Sequence, residues 1–490
     1  MSDLTETPDT ADPEFEAAVP STPAPRSGLQ INSLNWKHVA LLSVAGCGPA
    51  AVIALNLQFM GQFAGTALVL AFLLVWPAIL LLMNTLAQFS RHIHTAGGLY
   101  SYNLRTWGAN FGFVYGWVFL GAYMILAAAG FAVFGGWLSE WLGSQFQVMI
   151  PWWLITVVAV AVITALSALG ITESMRTSLV LVGFSVIVIL FLSVWILFSG
   201  GDSVSGGFSI EPFLPAGAGS AGWAGIGLAM TYAVLSHAGI EEGTTLAEEV
   251  KDPKRSVPKG LWLVALILPA FYILVSYAMV HGYGVAKIEA FGQDPAPLQT
   301  IALHYWGEIG LGIVVVAAII SILGFSQAGF LAGTRVLFAM ARDHVLPKVL
   351  GRSSARQTPA NSSFAMGIVT IVLGVPLALV TGPFEVWGYF GFLIGIAFLV
   401  SYIVTNIALI VFTKRIGVFS WWRHGLPSAA AALIFAYPLY RSVWPLPPGE
   451  YAILPLVYLG WVAIGVLLLV HTRAKRPEVL VRMMSEETKF

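Results

Sequence analysis

The chain is predicted to be an all-α integral membrane protein, and three observations carry that prediction. Of its 490 residues, 58% are hydrophobic and only 10% are charged, against roughly 25% charged in soluble domains. The apolar residues gather into runs that reach the length of about 20 residues a spanning helix needs. Lys and Arg then segregate to alternate loops, the pattern that separates cytoplasmic from external loops. The formal net charge is zero, which argues against nucleic acid as a partner. The single cysteine, Cys47, leaves no intramolecular disulfide and no cysteine-built metal site.

Residues 1–34 are rich in Thr, Pro, Ala, Asp and Glu and lack an apolar run. They are predicted to be a disordered cytoplasmic tail and not a signal peptide, having neither a basic start nor an apolar core. The membrane domain is expected at 35–475, with a cytoplasmic C-terminal tail at 476–490. Its spans are expected at 38–60, 66–90, 108–136, 152–170, 177–199, 222–245, 261–284, 308–340, 362–381, 385–412, 426–444 and 451–471, about twelve by the length criterion. With the N-terminus inside, Arg91, Arg105, Arg176, Lys251, Lys254, Arg255, Lys259, Arg342, Lys348, Arg352, Arg356, Lys414, Arg415 and Arg423 all fall on the cytoplasmic side. Lys287 and Arg441 fall outside, among Glu140, Asp202, Glu211, Glu289, Asp294 and Glu450. Both termini are therefore expected in the cytoplasm. Trp107, Trp117, Trp137, Trp152 and Trp153 cluster near span ends, where amphipathic rings sit at the membrane interface.

Two spans are interrupted. Gly46-Cys47-Gly48-Pro49 cuts span one near its middle; Pro49 lacks a donor, clashes with the preceding turn, and suits the first position of a new helix. Span six breaks at His237-Ala238-Gly239. If spans 1–5 and 6–10 are two repeats, these breaks are equivalent, and paired interruptions point to a transporter's binding site. The outer half of span one offers free N–H groups near Gly46–Gly48 to a carboxylate. The outer half of span six ends near Ser236–Ile240 with carbonyls that face an ammonium. Together they form a clamp for a zwitterion. Replacing Gly46 or Gly239 by Leu is expected to abolish binding while the protein still folds.

The stretch that leaves span six, SHAGIEEGTTLAEEVKDPKRSVPKG, carries Glu241, Glu242, Glu248 and Glu249. A charge at the bilayer centre costs at least ~2.5 kcal/mol, so an acid at this depth points to function. Two readings stand together: Glu241 and Glu242 cap the inner half-helix, where negative charge is favourable, or they touch substrate or carry a proton.

Four motifs then resemble the amino acid–polyamine–organocation superfamily of transporters, over nearly all of residues 34–475. They are GCGPAA in span one, GGLYSYNLRTWGANFGFVYGW from Gly97 to Trp117, GIEEGTTLAEEVKDPKRSVPKG after span six, and GTRVLFAMARDHVLPKVL from Gly333 to Leu350 with Thr358-Pro359 beyond it. Ala96 is a minor departure ahead of the second. The resemblance implies a five-plus-five inverted repeat (35–200 and 220–415) plus two further helices (420–475), and alternating-access transport of amino acids or related amines. It implies that Gly46, Cys47 and Gly48 meet the substrate carboxylate, and that Ser236, His237, Ala238, Gly239 and Ile240 meet the amine. Many members carry a Lys on span five where this chain has Ser185. A buried Lys can switch protons or stand in for sodium; Ser185 can only help ligate Na⁺ or hydrogen-bond a neighbouring helix. H⁺ through Glu241 or His237, Na⁺ near Ser185, or uncoupled exchange are therefore the coupling schemes left open.

The opposite wall of the site is expected from spans three, eight and ten, with Tyr123, Phe325, Gln327 and Trp387 as candidates. Other readings of the same fold are an amine or polyamine carrier and an inorganic-ion carrier. A channel is a further class, disfavoured because no filter-like carbonyl run or charged ring is present. No phosphate loop or catalytic constellation indicates an enzyme. His92 and His94 lack a third ligand nearby, so no resident metal or cofactor is expected. Oligomeric state is not readable from the sequence.

Overall fold

The computed structural model describes residues 34–93, 97–170, 175–201, 208–248, 250–342, 345–354, 356 and 358–487. Residues 1–33 of the expected tail, His94, Asp202 and Glu249 lie outside the described residues. In chain order the helices are α1 (Trp36–Cys47), α2 (Pro49–Ala64), α3 (Leu68–Phe89), α4 (Gly98–Trp107), α5 (Ala109–Phe146), α6 (Trp152–Leu169), α7 (Met175–Phe198), α8 (Gly222–Leu235), α9 (Pro253–Tyr283), α10 (Ile288–Gln293), α11 (Pro297–Arg342), α12 (Ala360–Thr381), α13 (Pro383–Arg415), α14 (Leu426–Val443), α15 (Leu454–Lys475) and α16 (Pro477–Glu487). Among the described residues there is no strand, only an isolated parallel bridge between Leu34 and Val250.

Ten stretches among the described residues are long and apolar enough to cross a membrane. The first, Trp36–Phe89, holds α1, α2 and α3 and so covers the first two expected spans. The expected span at 426–444 is the helix α14, which is not among the ten; Arg441 and two prolines, Pro427 and Pro438, dilute its apolar character.

Local chemistry sets the ends. Asn35 caps α1 through its side chain, which accepts from the Lys37 N–H at 2.9 Å, while His38 Nδ1 accepts from the Asn35 N–H at 3.2 Å. This reciprocal box satisfies donors the helix cannot pair internally. In α13, Glu385 lies in the first turn and Lys414 and Arg415 in the last, each charge at the helix end whose dipole favours it.

The interior is built around α5. Of its most apolar window, 94% is buried, against 17% for the stretch containing α15, so α5 is the central post and α15 lies at the periphery. Helix α5 packs on α11 and α13, and α2 packs on α8.

One expectation is corrected here. The inner half of span six is a 3-10 segment, Ile240–Glu248, not an α-helix. Thr244 and Thr245 each donate back three residues, to Glu241 O and Glu242 O at 2.7 Å, and such local bonds compete with the α-helical ladder. Within the C-terminal segment 476–490 lies α16, which buries Val479 and Met483.

Candidate functional site

The first break is a hinge at Gly48, whose φ of 54° is left-handed and joins α1 to α2; Pro49 then opens α2. The second follows α8, where Gly239 has φ 96°. The two breaks touch. A Cβ on Gly239 would lie 2.6 Å from both C and O of the Gly46 carbonyl. A Cβ on Gly46 would lie 2.5 Å from Glu242 Oε2 and 3.1 Å from Gly239 O. Only hydrogen fits between these backbones, and Gly239 also needs a φ that side-chain-bearing residues avoid.

Both acids are inside the protein: Glu241 is 3% exposed and Glu242 9%. The Tyr123 hydroxyl donates to Glu241 Oε1 at 3.1 Å, and the Tyr402 hydroxyl to Oε2 at 3.0 Å. One carboxylate therefore ties α5, the 3-10 segment and α13 together. A second chain runs beside it. Trp387 Nε1–H donates to Asn56 Oδ1 at 2.8 Å, Asn56 Nδ2 donates to Ser236 Oγ at 3.0 Å, and the Tyr272 hydroxyl donates to Ser236 O at 2.7 Å. This chain joins α13, α2, the second break and α9.

His237 is fully buried. Its Nδ1 lies 2.7 Å from Ala233 O; a carbonyl can only accept, so Nδ1 carries a proton, and in the neutral ring Nε2 is the acceptor. Nε2 has no hydrogen-bond partner among the described residues.

The structure brings most of the expected residues together. Cys47 Sγ lies 3.7 Å from His237 O, across the two breaks. Phe325 closes over Gly48, with its Cβ 2.7 Å from where a Gly48 Cβ would stand, and its ring meets Trp387 at 5.6 Å. Ala238 and Ile240 are buried beside the Gly239 turn. Gln327 is not part of this group: it is half-buried, and two residues after Phe325 it points about 200° away around α11. Ser185 is also elsewhere, donating toward Ala317 O of α11 at 2.9 Å and Leu181 O of its own helix at 3.0 Å. It ties α7 to α11.

The expectation of a row of unpaired groups is corrected. Ser236 O accepts from Tyr272, His237 O from the Tyr402 hydroxyl at 3.3 Å and the Ile240 N–H at 3.1 Å, and Gly239 O from the Glu242 N–H at 3.0 Å. At the start of α2, Pro49 has no N–H, and the Ala51 N–H donates to Ser321 Oγ at 3.0 Å. Buried backbone groups find partners, so tyrosine and serine hydroxyls stand here where substrate atoms were expected.

Asn56, Tyr272 and Tyr402 were not singled out by sequence. Asn56 had a signal, an amide two residues before Gln58 in the apolar run VIALNLQF, since polar side chains in spans serve as inter-helix glue. The two tyrosines had none. Asn56→Ala removes a donor and an acceptor and strands the Trp387 N–H. We expect a loss of about 2–4 kcal/mol in unfolding free energy, read as a fall in detergent melting temperature, with Asn56→Asp closer to native than Asn56→Ala.

Across residues 38–440 the chain matches the amino acid permease family. The chain belongs to that family. The permease is similar to the methylthioribose transporter of Bacillus subtilis (strain 168), 28% identical over 430 residues that cover 82% of this chain and 85% of the relative. It is also similar to the branched-chain amino acid permease BcaP of Lactococcus lactis subsp. cremoris, 28% identical over 362 residues, 70% and 75% of the two chains. The aromatic amino acid transport protein AroP of Escherichia coli O157:H7 is 25% identical over 355 residues, 69% and 72%. The permease is thus a multi-pass membrane protein of a transporter family.

Proposed function

We propose that the permease is a secondary active transporter of amino acids or related small amines, working by alternating access in a plasma membrane with both termini cytoplasmic. The observation that carries this reading is the contact of the two helix breaks at Gly46 and Gly239, beside two buried carboxylates. Irregular backbone at membrane depth is tolerated where it lines a cavity or is buried in protein, and here both breaks meet at one place. Relatives named for branched-chain and aromatic amino acids support the substrate class.

The order of elements supports two repeats, 35–200 and 220–415, with 420–475 adding two helices to make twelve spans. In each half a broken span comes first. In each half, too, a short helix joins the long one through a glycine of positive φ: α4 through Gly108 to α5, and 297–306 through Gly307 to the rest of α11. In this conformation the site is filled by its own side chains. Substrate binding then requires Phe325 to leave Gly48, so that the start of α2 receives the carboxylate. The amine takes the acceptors that Tyr272 and Tyr402 now occupy, with His237 Nε2 beside them. The Tyr123–Glu241–Tyr402 bridge acts as a latch on the inner side of this site.

Thermal stabilisation of the purified permease across a panel of amino acids, amines and methylthioribose tests the substrate class, because a ligand of the folded state raises apparent stability. Stabilisation by no amino acid or amine, together with no uptake in proteoliposomes, removes the reading. Coupling is tested in the same vesicles. H⁺ through Glu241 or His237 predicts uptake driven by a pH gradient, and Na⁺ near Ser185 predicts uptake lost with sodium. Uptake indifferent to both leaves exchange. Because Ser185 bonds a neighbouring helix, we expect Ser185→Ala to lower stability by about 0.6 kcal/mol and leave ion dependence unchanged; altered sodium dependence would assign Ser185 to the ion.

A further inference from the structure

We propose that Tyr451, which lies outside both proposed repeats, is a gate residue, the fixed jaw of the outer closure above the paired breaks. This rests on reading α2 and α8 as the outer halves of the broken spans. On α2, Phe59 and Phe63 follow Asn56 by three and seven residues and so share its face. On α8, Tyr232 precedes Ser236 by four. Their rings therefore stack one turn beyond the Asn56–Ser236 link, Phe59 on Tyr232 at 5.6 Å and 11°, and Phe63 on Tyr232 at 6.1 Å.

Tyr451 comes from the turn Gly449–Ile453 ahead of α15. It meets Phe63 edge-on at 5.3 Å and Phe392 of α13 at 5.5 Å. Gly388 makes the room: a Cβ there would lie 2.8 Å from the Tyr451 hydroxyl and 2.6 Å from the Phe59 ring. Next to Tyr451, Glu450 accepts from the Tyr389 hydroxyl, which holds the turn to α13.

Helix α15 is peripheral, yet it is pinned to α5 by a reciprocal clasp. The indoles of Trp117 and Trp461 stack at 4.5 Å and 16°. Each ring N–H donates to the other residue's carbonyl, at 3.1 and 3.2 Å. Gly121 and Gly465, each four residues after its tryptophan, lie under the opposite indole; a Cβ on Gly465 would lie 2.6 Å from Trp117 Cδ1, and one on Gly121 would overlap Trp461 Nε1. Tyr451 is thus carried by α15 and bound to α5 and α13. Phe59, Phe63 and Tyr232 ride on α2 and α8, whose hinges are Gly48 and Gly239. Opening parts the rings between these two groups.

The test is the double variant Phe63→Cys/Tyr451→Cys in proteoliposomes. Oxidation with copper phenanthroline is expected to cross-link the pair and stop uptake, and reductant to restore it. Unchanged uptake by cross-linked protein overturns the gate. Where the pair does not cross-link, Tyr451→Ala decides. The lost ring contact, about one aromatic pair, is expected to raise apparent KM about tenfold with little change in kcat, while Tyr451→Phe stays near native. A KM for Tyr451→Ala equal to the native value overturns the proposal. Native protein that no amino acid or amine stabilises fails the transport reading itself, whereas cross-link-insensitive uptake by an active native protein sinks only the gate.

Discussion

Gly239→Ala is expected to abolish transport by preventing stable folding, which is more than loss of a binding contact. The new Cβ would sit 2.6 Å from the carbonyl carbon and oxygen of Gly46, and backbone cannot swing aside as a flexible side chain can. The φ of 96° adds strain of roughly 1–2 kcal/mol for an L-residue. Parting the breaks would also open the Cys47–His237 contact and loosen the Ser236 links to Asn56 and Tyr272. Against a total stability of about 5–15 kcal/mol, the sum is large. The measurement is the monodisperse fraction and melting temperature in detergent; a Gly239→Ala protein with native melting behaviour would show that the breaks do not need this contact. Gly46→Ala is the contrasting case. Its Cβ meets chiefly the end of the Glu242 side chain, which can rotate away, with Gly239 O at the looser 3.1 Å. We therefore expect Gly46→Ala to fold and to lose transport through the displaced Glu242. We keep the sequence-based expectation of an intact fold for replacement of Gly46 and replace it for Gly239.

Glu241→Ala is expected to reduce uptake by at least about a hundredfold. Two tyrosine hydroxyls, from α5 and α13, donate to this one carboxylate. Its removal leaves the Tyr123 hydroxyl buried without its acceptor, at about 1–3 kcal/mol, and leaves the Tyr402 hydroxyl with only the longer 3.3 Å bond to His237 O. Glu241→Gln keeps the shape and loses the charge assistance, roughly half the strength of each bond, so an intermediate loss of about tenfold is expected. Tyr123→Phe and Tyr402→Phe each remove one arm. If the latch is a single unit, the double variant is less severe than the product of the singles, because the first removal already releases the bridge. Initial uptake rates, alongside substrate-dependent stabilisation, check this. Native transport by Glu241→Ala would reduce the acid to a cap.

Much of the architecture was written in local chemistry. Apolar run length, loop charge, and the pairs Gly48-Pro49 and Gly239 are properties of adjacent residues. They placed the helices and both breaks without knowledge of what packs on what. The residues of the candidate site were legible as neighbours: Gly46–Gly48, Ser236–Glu241 and Phe325 do come together. Gln327 was misplaced because a wall residue is chosen by helical phase, and a two-residue error turns a side chain about 200°. The 3-10 form of Ile240–Glu248 was hidden because Thr244 and Thr245 reach back for carbonyls only once the segment is packed against α1, where Ser43 Oγ accepts the Gly243 N–H.

The sequence by itself determined that this is a helical membrane protein, where its chain breaks, and that acids lie at the second break. Only the tertiary structure decided that the breaks touch, that Tyr123 and Tyr402 share Glu241, and that Tyr451 reaches back over α2 from the edge of the molecule. The reason is sequence separation. A break or a span is set by residues within one helical turn, whereas Glu241 and Tyr402 are 161 positions apart and Trp117 and Trp461 are 344 apart. Nothing in a single chain of letters records which distant side chains packing will press together.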